Sequence, residues 1–274
     1  MERSDVPGEP SASTVEASAG NYLTQVFAVA AAEVQKLYHD PIELMTRAVQ
    51  PVLWLMLFGE VMARVRGVAP GGIRYLDFLA AGILAQSALF VAIFYGISAI
   101  WERDLGILQR YLVSPAPRSA LVAGKALSAG VRGLSQTLIV YLLALLLGVG
   151  VSLDPLHILG VAAIIVLGSA LFSTLSLIIA CIVKTRERFM GIGQVITMPI
   201  FFASNAIYPL SLMPSWLRAV SHANPLTYEV DALRALMLAD VGSEYGLIFD
   251  SCVLAAGAIL LIAIAAKMYA RMAY

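Results

Sequence analysis

The residue types that could carry out chemistry in this sequence are few and lie far apart. A phosphate-binding loop has the pattern GxxxxGK[ST], because its glycines allow close backbone approach and its lysine reaches the phosphates. The one Gly-Lys step is Gly124-Lys125, Ala126 follows it, and Ser119 stands where the first glycine is required. The sequence therefore predicts no ATPase site in this chain, and any ATP-driven function would need a separate ATPase.

Hydrolytic chemistry has equally little support. The histidines His39, His157 and His222 are scattered, none belongs to an HExxH zinc pattern, and none lies near the centre of a predicted span. Intramembrane serine chemistry needs a serine and a histidine at similar depth. Cys181 and Cys252 have no histidine or second cysteine at metal-ligand spacing. We therefore predict no catalytic residue and no metal site.

The composition indicates a membrane protein. Of the 274 residues, 60% are hydrophobic and 13% are charged, whereas soluble domains contain about 45–50% and about 25%. A soluble fold of this size could not cover so much apolar surface, so part of its solvent must be lipid. Lys plus Arg equals Asp plus Glu at 18 each, which gives no electrostatic reason to expect nucleic acid as a partner.

Six segments are long and apolar enough to be membrane-spanning helices. A span needs about 20 mostly apolar residues, because the hydrocarbon core is about 30 Å thick. Four segments have long charge-free runs, the first and last carry charges near their ends, and Pro199 and Pro209 interrupt the outer part of the fifth. The predicted fold class is therefore an all-α integral membrane protein with six transmembrane helices, at about 44–63, 78–101, 133–153, 156–183, 189–205 and 246–270.

The distribution of basic residues predicts the orientation. With the N-terminus in the cytoplasm, thirteen of the 18 Lys and Arg side chains lie on the cytoplasmic side, as the positive-inside rule requires. We therefore expect a multi-pass protein of the cell membrane, inner or plasma, with both termini cytoplasmic. The basic first outer loop, with Arg64, Arg66 and Arg74, is the one discordant region.

The segments before the first span are predicted to be a tail and an interfacial helix. Residues 1–20 are rich in Ser, Ala, Glu and Pro, which is typical of a disordered cytoplasmic tail. Within residues 21–41, apolar residues fall on one face of a helix, which suits the membrane interface or, as the alternative, another protein surface. Residues 42–274 then form the transmembrane domain.

The longest cytoplasmic loop, residues 101–125, has the pattern of an amphipathic helix. Trp101, Leu105, Leu108 and Leu112 recur at helical spacing, and a Ser-Pro-Ala-Pro segment ends the pattern. Such a helix can insert its apolar ridge into a groove of a soluble partner. A solvated loop that merely joins two spans is the alternative, and periodicity alone does not decide between them.

The outer segment before the last span is predicted to contain a short helix. Asn224 followed by Pro225 is a favourable helix start, and Asp231 and Arg234 are an i, i+3 pair on that helix. Its apolar stripe comprises Leu226, Val230, Leu233 and Met237. We expect broken, partly re-entrant structure after the fifth span and a small helix that covers the outer end of the bundle.

Charged side chains are absent from the four central runs, and this bears on the energy source. Ion-gradient coupling needs ionisable groups near mid-membrane, so an ion-driven carrier or channel is the less favoured alternative. The polar residues of the spans are uncharged, and a lipid-facing amide is costly. The residues expected to line a pathway are Gln86, Tyr95, Gln136, Gln194 and Asn205. A pathway without fixed charge suits hydrophobic or amphipathic cargo.

Two motifs in this order resemble those of a known family. The stretch from Trp101 to Leu108, followed by Leu112-Val113-Ser114-Pro115, looks like the cytoplasmic loop of type-2 ABC exporter permeases. Asn224-Pro225-Leu226-Thr227-Tyr228, continuing Val230-Asp231-Ala232-Leu233-Arg234, resembles the signature before their last span. The likeness covers nearly the whole chain after about residue 20 and is nearest to daunorubicin-resistance-type drug exporter permeases. The basic loop 64–74 departs from the better-known members.

The resemblance implies a mechanism and partners. In that family two permeases, identical or paralogous, pair with two nucleotide-binding subunits, which bind ATP and Mg²⁺ and draw the inner loops together. It implies export of a drug, lipid or glycolipid, with polysaccharide as a family alternative. By the same resemblance the first helix is a connecting helix and the Glu102–Leu112 helix is the coupling helix. Its residues toward the ATPase would be Glu102, Arg103, Leu105, Gly106, Leu108, Tyr111 and Leu112. The outer gate would carry Asn224, Pro225, Tyr228, Asp231 and Arg234.

Overall fold

A computed structural model describes residues 49–64, 72–106, 118–183, 185–238 and 241–269, together with Thr24, Ala31 and Gln35. The helices are numbered here in chain order: α1 Val49–Met62, α2 Tyr75–Tyr95, α3 Ile97–Asp104, α4 Arg118–Leu146, α5 Pro155–Ile182, α6 Arg186–Phe202, α7 Ser215–Ala223, α8 Pro225–Met237 and α9 Leu247–Tyr269. Apart from those three residues, the predicted tail at 1–20 and interfacial helix at 21–41 lie outside the described residues.

Four helical segments are long and apolar enough to cross a membrane. They are Tyr75–Asp104, which comprises α2 and α3, Arg118–Leu146, Pro155–Ile182 and Leu247–Met268. α1 is a shorter apolar helix, and α6 has 17 residues. The structure therefore confirms an all-α membrane protein, and the count of six spans stays a prediction.

α1 is irregular and only partly enclosed. Its Trp54–Gly59 segment is π-helical, a geometry that is rare and occurs mostly as single-turn insertions. A Cβ at Gly59 would lie 2.6 Å from Cδ1 of Leu76, so the two backbones are close at that point. On the opposite side Leu53, Leu57 and Val61 are exposed. α1 therefore has one face against α2 and one apolar face that the other described residues do not cover.

α2 is the most buried of the four long spans, and a glycine separates it from α3. At Gly96 the backbone N–H donates to Oγ of Ser176 at 3.1 Å, and that hydroxyl donates to the carbonyl of Ile93. A Cβ at Gly96 would overlap the same hydroxyl. Ser176 therefore satisfies backbone groups at the break, as buried backbone at membrane depth requires.

The third span begins earlier than its charge-free length predicts. We expected 133–153, but α4 runs from Arg118 to Leu146 and so includes Lys125 and Arg132. These two charges are accommodated by contacts with the neighbouring helix, because Lys125 pairs with Glu102 and Arg132 lies over the ring of Tyr95. The helix ends at a left-handed glycine, Gly148 with φ of 69°.

α5 lies at the centre of the bundle, in contact with α2, α4, α8 and α9. Its first turn is stabilised by Asp154, whose Oδ1 accepts a hydrogen bond from the Leu156 N–H at 2.9 Å, and by Pro155 at the first helical position. α9, in contrast, is mostly exposed along its length. α5 is thus the element against which the rest of the bundle is arranged.

α7 and α8 form a hairpin that enters the bundle and returns. Leu236 packs on Gly160 and Glu229 packs on Gly168, so α8 runs antiparallel to α5. At 1.5 Å per residue Gly168 lies about 20 Å along α5 from Pro155. The first turns of α8 are therefore near the middle of α5, and the last turn of α8 is near the start of α5, as expected for a re-entrant segment. This end of the bundle is called the α7–α8 end below.

Candidate translocation and coupling sites

Asn224 fixes the deepest point of the α7–α8 hairpin. Its Oδ1 accepts a hydrogen bond from the Leu226 N–H at 3.0 Å, which confirms the predicted helix cap. Its Nδ2 donates at 2.6 Å to the carbonyl of Ile200, in the last turn of α6, where carbonyls have no partner within the helix. One side chain thus joins the start of α8 to the end of α6, next to Pro199.

Arg234 and Asp231 are buried on α8, at 6% and 4% exposure. The pair was expected to interact along the helix, yet each residue hydrogen-bonds a different segment. Arg234 Nη2 donates to the carbonyl of Asn205 at 2.8 Å, and the guanidinium lies 3.8 Å from the ring centre of Phe78. Asp231 Oδ2 accepts from Ser243 Oγ at 2.8 Å and from the Tyr245 N–H at 3.1 Å. The signature residues therefore hold α2, the loop after α6 and the loop before α9 on α8.

A cavity of about 410 Å³ opens where these segments meet. Its polar side chains are Asn205, Ser211, Asp231, Arg234 and Glu244, and Phe78 contributes an aromatic wall. Asn205 is 1% exposed, and its Nδ2 and Oδ1 have no hydrogen-bond partner in the part of the chain that the structure describes. The structure thus brings one predicted pathway residue together with two predicted signature residues. We call this space the α8 cavity.

Tyr228, another signature residue, joins α8 to α9. Its ring lies 5.2 Å from that of Tyr245 and 5.8 Å from that of Phe249, and its hydroxyl donates to the carbonyl of His222 at 2.6 Å. Burial, followed by the nearby carboxylate of Glu244, raises the pKa of Tyr245 to about 12. The Tyr245 hydroxyl therefore keeps its proton and remains a hydrogen-bonding partner of His222 Nδ1, 2.8 Å away.

Glu229 is a residue that the sequence interpretation missed. It is completely buried, neither carboxyl oxygen has a hydrogen-bond partner among the described residues, and the group lies against Gly168 of α5. Charge-free spans therefore do not exclude a carboxyl group from the bundle interior, because the re-entrant helix brings one in from outside the spans. A signal was present, since Glu229 stands three residues after Leu226 and four before Leu233 on the apolar stripe.

The other predicted pathway residues do not share one site within the described chain. Gln136 lies in a cleft of about 340 Å³ with Ser87, Phe90 and Phe94 from α2 and residues 50–51 from α1. Gln86 is buried in α2, and Tyr95 lies under the charges of Lys125 and Arg132. Gln194 is exposed on α6. Two of the predicted pathway residues that the structure describes thus line separate polar spaces, the cleft at Gln136 and the α8 cavity.

At the other end of the bundle, Glu102 is held by a buried ion pair. Lys125 Nζ lies 2.7 Å from both carboxylate oxygens of Glu102, and the two residues are 3% and 7% exposed. Lys125 Nζ also lies 5.9 Å from the ring centre of Tyr95. Glu102 was expected to face a partner, but its carboxylate here ties α3 to α4. Glu102 would therefore act on a partner only indirectly, by positioning the residues that follow it in the chain. We call this region the Asp104 end.

The helix that carries Glu102 stops early. A continuous Glu102–Leu112 helix was expected, but α3 ends at Asp104 and Gly106 has φ of 71°, in the left-handed region. The Gly106 N–H donates to the carbonyl of Arg103 at 3.0 Å, which closes the helix end. The single-helix prediction is therefore wrong at Gly106. Leu108, Tyr111 and Leu112 lie outside the described residues.

Charge and aromatic contacts also hold α3 against the start of α6. Arg186, at the start of α6, lies 3.4 Å from the ring centre of Trp101 and 2.9 Å from Asp104 Oδ2. Arg103 contacts the other oxygen of the same carboxylate at 3.1 Å. Leu105 stays 65% exposed. The turn at Gly106 thus presents an apolar side chain at the Asp104 end, just before the described segment stops at residue 106.

Comparison with known proteins identifies the architecture. The family model described as ABC-2 type transporter matches residues 24–238. The chain belongs to the ABC-2 type transporter family. Ycf38 of Cyanophora paradoxa is 30% identical to it over 225 residues, which cover 78% of this chain and 74% of that protein. The resemblance seen in the sequence is therefore confirmed.

Other members of the ABC-2 type transporter family are similar over most of their length. The daunorubicin resistance ABC transporter permease protein DrrB1 of Streptomyces coeruleorubidus is 24% identical over 204 residues, covering 74% of this chain and 71% of that protein. The inner membrane transport permease YadH of Escherichia coli K12 is 25% identical over 195 residues, covering 68% and 73%. The chain is thus a membrane-embedded permease of the ABC-2 type, and the matched region includes both motifs.

Proposed function

We propose that the chain is the transmembrane subunit of an ATP-driven ABC exporter and forms the pathway for hydrophobic or amphipathic cargo. The observation that carries this proposal is the ABC-2 family match over residues 24–238. The chain supplies apolar spanning helices but has no phosphate-binding loop in its sequence. Two separate nucleotide-binding subunits would therefore bind the ATP and Mg²⁺, and this chain would not itself be an enzyme.

The Asp104 end supports the proposed coupling to those subunits. The buried Glu102–Lys125 pair and the Arg186–Asp104 pair hold the turn at Gly106 on three helices, α3, α4 and α6. A push on the loop that begins there would be transmitted to α4 and α6 through these two ion pairs. The proposal therefore has the ATPase on the cytoplasmic side of a cell membrane and both termini in the cytoplasm.

The exposed face of α1 supports the proposed pairing with a second permease, either another copy of this chain or a paralogue. Leu53, Trp54, Leu57, Phe58 and Val61 line an apolar groove of about 390 Å³ on that face. The same face suits lipid, and the oligomeric state of the purified complex distinguishes the two occupants.

The cleft at Gln136 supports the proposed cargo class. Phe90 and Phe94 offer aromatic surface, while Ser87 and Gln136 offer uncharged polar groups. Such a lining suits a drug, a lipid or a glycolipid, because one part of the cargo is apolar and another forms hydrogen bonds. The relative DrrB1 is named for daunorubicin resistance, so that drug is a reasonable first probe.

The experiment that tests the function is transport in vesicles. The chain would be reconstituted with a candidate ABC ATPase from the same organism, with daunorubicin and a fluorescent phospholipid as probes. We expect movement of a probe with ATP and Mg²⁺, and none when the catalytic residue of the ATPase is replaced. A chain that neither associates with that ATPase nor moves a probe in response to ATP would contradict the proposal.

A further inference from the structure

The α8 cavity contains buried polar groups whose hydrogen-bonding capacity the protein does not use. Among the described residues, Asn205 has neither a donor nor an acceptor for its amide, and Nε of Arg234 also has no partner. A buried polar atom without a partner is destabilising, because it has lost its hydrogen bonds to water without replacement. Three such atoms line or adjoin one cavity of about 410 Å³, which points to a ligand that supplies the missing partners.

The charges of the cavity determine which ligand fits. Asp231 and Glu244 contribute two carboxylates, whereas Arg234 contributes one guanidinium, so the lining carries an excess of one negative charge. One face of the guanidinium is covered by Phe78, and its Nη2 is already bonded to the carbonyl of Asn205. A cation is therefore favoured over an anion at the carboxylates.

The unpaired atoms add a second requirement. Arg234 Nε and Asn205 Nδ2 are donors and need an acceptor oxygen, whereas Asn205 Oδ1 is an acceptor and needs an N–H or O–H donor. A simple metal ion would satisfy the acceptor and leave both donors unpaired. A group that carries a protonated amine and, a few atoms away, an oxygen acceptor would satisfy all three.

We propose that the α8 cavity binds a protonated primary amine with a neighbouring oxygen acceptor, using Asp231, Glu244 and Asn205 for the ammonium and Arg234 with Asn205 for the oxygen. Two sources have this chemistry, an ethanolamine lipid headgroup and the amino-alcohol part of an amphipathic amine. This proposal adds a substrate class to the proposed exporter function, but binding itself needs neither ATP nor a partner subunit.

The test is a titration of the purified full chain in phosphatidylcholine nanodiscs. The apparent unfolding temperature is measured with increasing ethanolamine, with ethylene glycol as the uncharged analogue and sodium chloride at matched ionic strength. A ligand that binds only the folded state raises this temperature in a saturable way. We expect such a rise with ethanolamine alone. No saturable rise, or a rise with inorganic phosphate instead of ethanolamine, would overturn the proposal.

Two variants locate the site. Glu244 is exposed in a loop, so Glu244→Gln should preserve the fold and weaken the apparent affinity by about twofold to fivefold. Asn205→Leu removes the unpaired amide, so the unliganded protein should be at least as stable while the ethanolamine affinity falls about tenfold or more. Glu187→Gln, an exposed glutamate at the far end of α6, is the matched control. Equal affinity in all three variants would refute the assignment.

A last experiment distinguishes the two sources of the amine, a lipid headgroup and an amphipathic amine. When part of the phosphatidylcholine is replaced by phosphatidylethanolamine, a lipid headgroup already in the cavity would abolish the response to added ethanolamine in the wild type. An undiminished response would assign the site to a soluble or cargo-borne amine. Both results support an amine site, and failure of the titration would leave ATP-driven transport untouched as a separate question.

Discussion

The carboxyl group of Glu229 lies directly against the backbone of Gly168, at the middle of the central helix α5. Only a residue without a side chain leaves room for it, because a Cβ at this position would overlap the carboxyl group. The re-entrant helix α8 therefore enters the bundle by packing a polar group into a notch in α5. This contact sets how deep α8 lies.

Filling that notch should displace α8. Gly168→Ala should lower the free energy of unfolding by about 1–3 kcal/mol, because the added methyl overpacks a closed contact. Gly191→Ala is the matched control, since Gly191 lies in α6 with no atom near its Cβ position, and alanine there should be neutral or stabilising by up to about 1 kcal/mol. Thermal unfolding of both purified variants measures these two changes in stability. Equal behaviour would show that α8 does not depend on the notch.

Breaking the buried pair between α3 and α4 should be costly. Lys125→Met leaves the carboxylate of Glu102 buried without its partner, which should destabilise the protein by about 3–5 kcal/mol. The double variant Glu102→Leu with Lys125→Met should recover most of that loss, because no uncompensated charge remains. Unfolding temperatures of the single and double variants measure the effect. A double variant as unstable as the single one would contradict this interpretation.

The two hydrogen bonds of Asn224 can be separated by substitution. Asn224→Ala removes both the helix cap and the bond to Ile200, and should cost about 1–3 kcal/mol. Asn224→Asp keeps an acceptor for the cap but loses the donor to Ile200, so its cost should reflect mainly the second bond. ATP turnover by the complex should change less than transport in both variants. Unchanged stability and transport would exclude the residue from this role.

The loop after Gly106 should contact the ATPase through its apolar ridge. Leu108→Asp places a charge in that ridge, so the chain should still insert but should lose stimulation of the ATPase and copurification with it. Leu212→Asp, at an exposed leucine between α6 and α7, serves as the control and should keep both. If copurification and stimulation survive Leu108→Asp, the coupling assignment is wrong.

Local features of the fold were predictable because neighbouring residues determine them. Asn224-Pro225 is a self-contained signal that encodes a cap and a first turn, and the structure has both. The start of α4 was not predictable from charge-free length, because the partner of Lys125 is Glu102, 23 residues away. A charge that is paired across helices no longer marks the end of a span.

The functional sites, like the fold, depend partly on contacts between distant segments that local sequence does not show. Gly106 was assigned to a continuous helix from its apolar neighbours, although its left-handed backbone ends α3. The α8 cavity could not be predicted, because Asn205 and Arg234 meet only when the loop after α6 folds onto α8. Glu229 stood on a visible stripe, yet its burial depends on Gly168, which belongs to another helix.

The most direct test of the proposed function uses Glu229→Gln in the reconstituted transporter. Glutamine has the same shape and no charge to bury, so it should fit the notch at Gly168 without loss of stability. We expect wild type and Glu229→Gln to move daunorubicin or the fluorescent phospholipid equally well with ATP and its ATPase, and neither to respond to a proton gradient alone. Uptake driven by a proton gradient without ATP, and abolished by Glu229→Gln, would contradict the account.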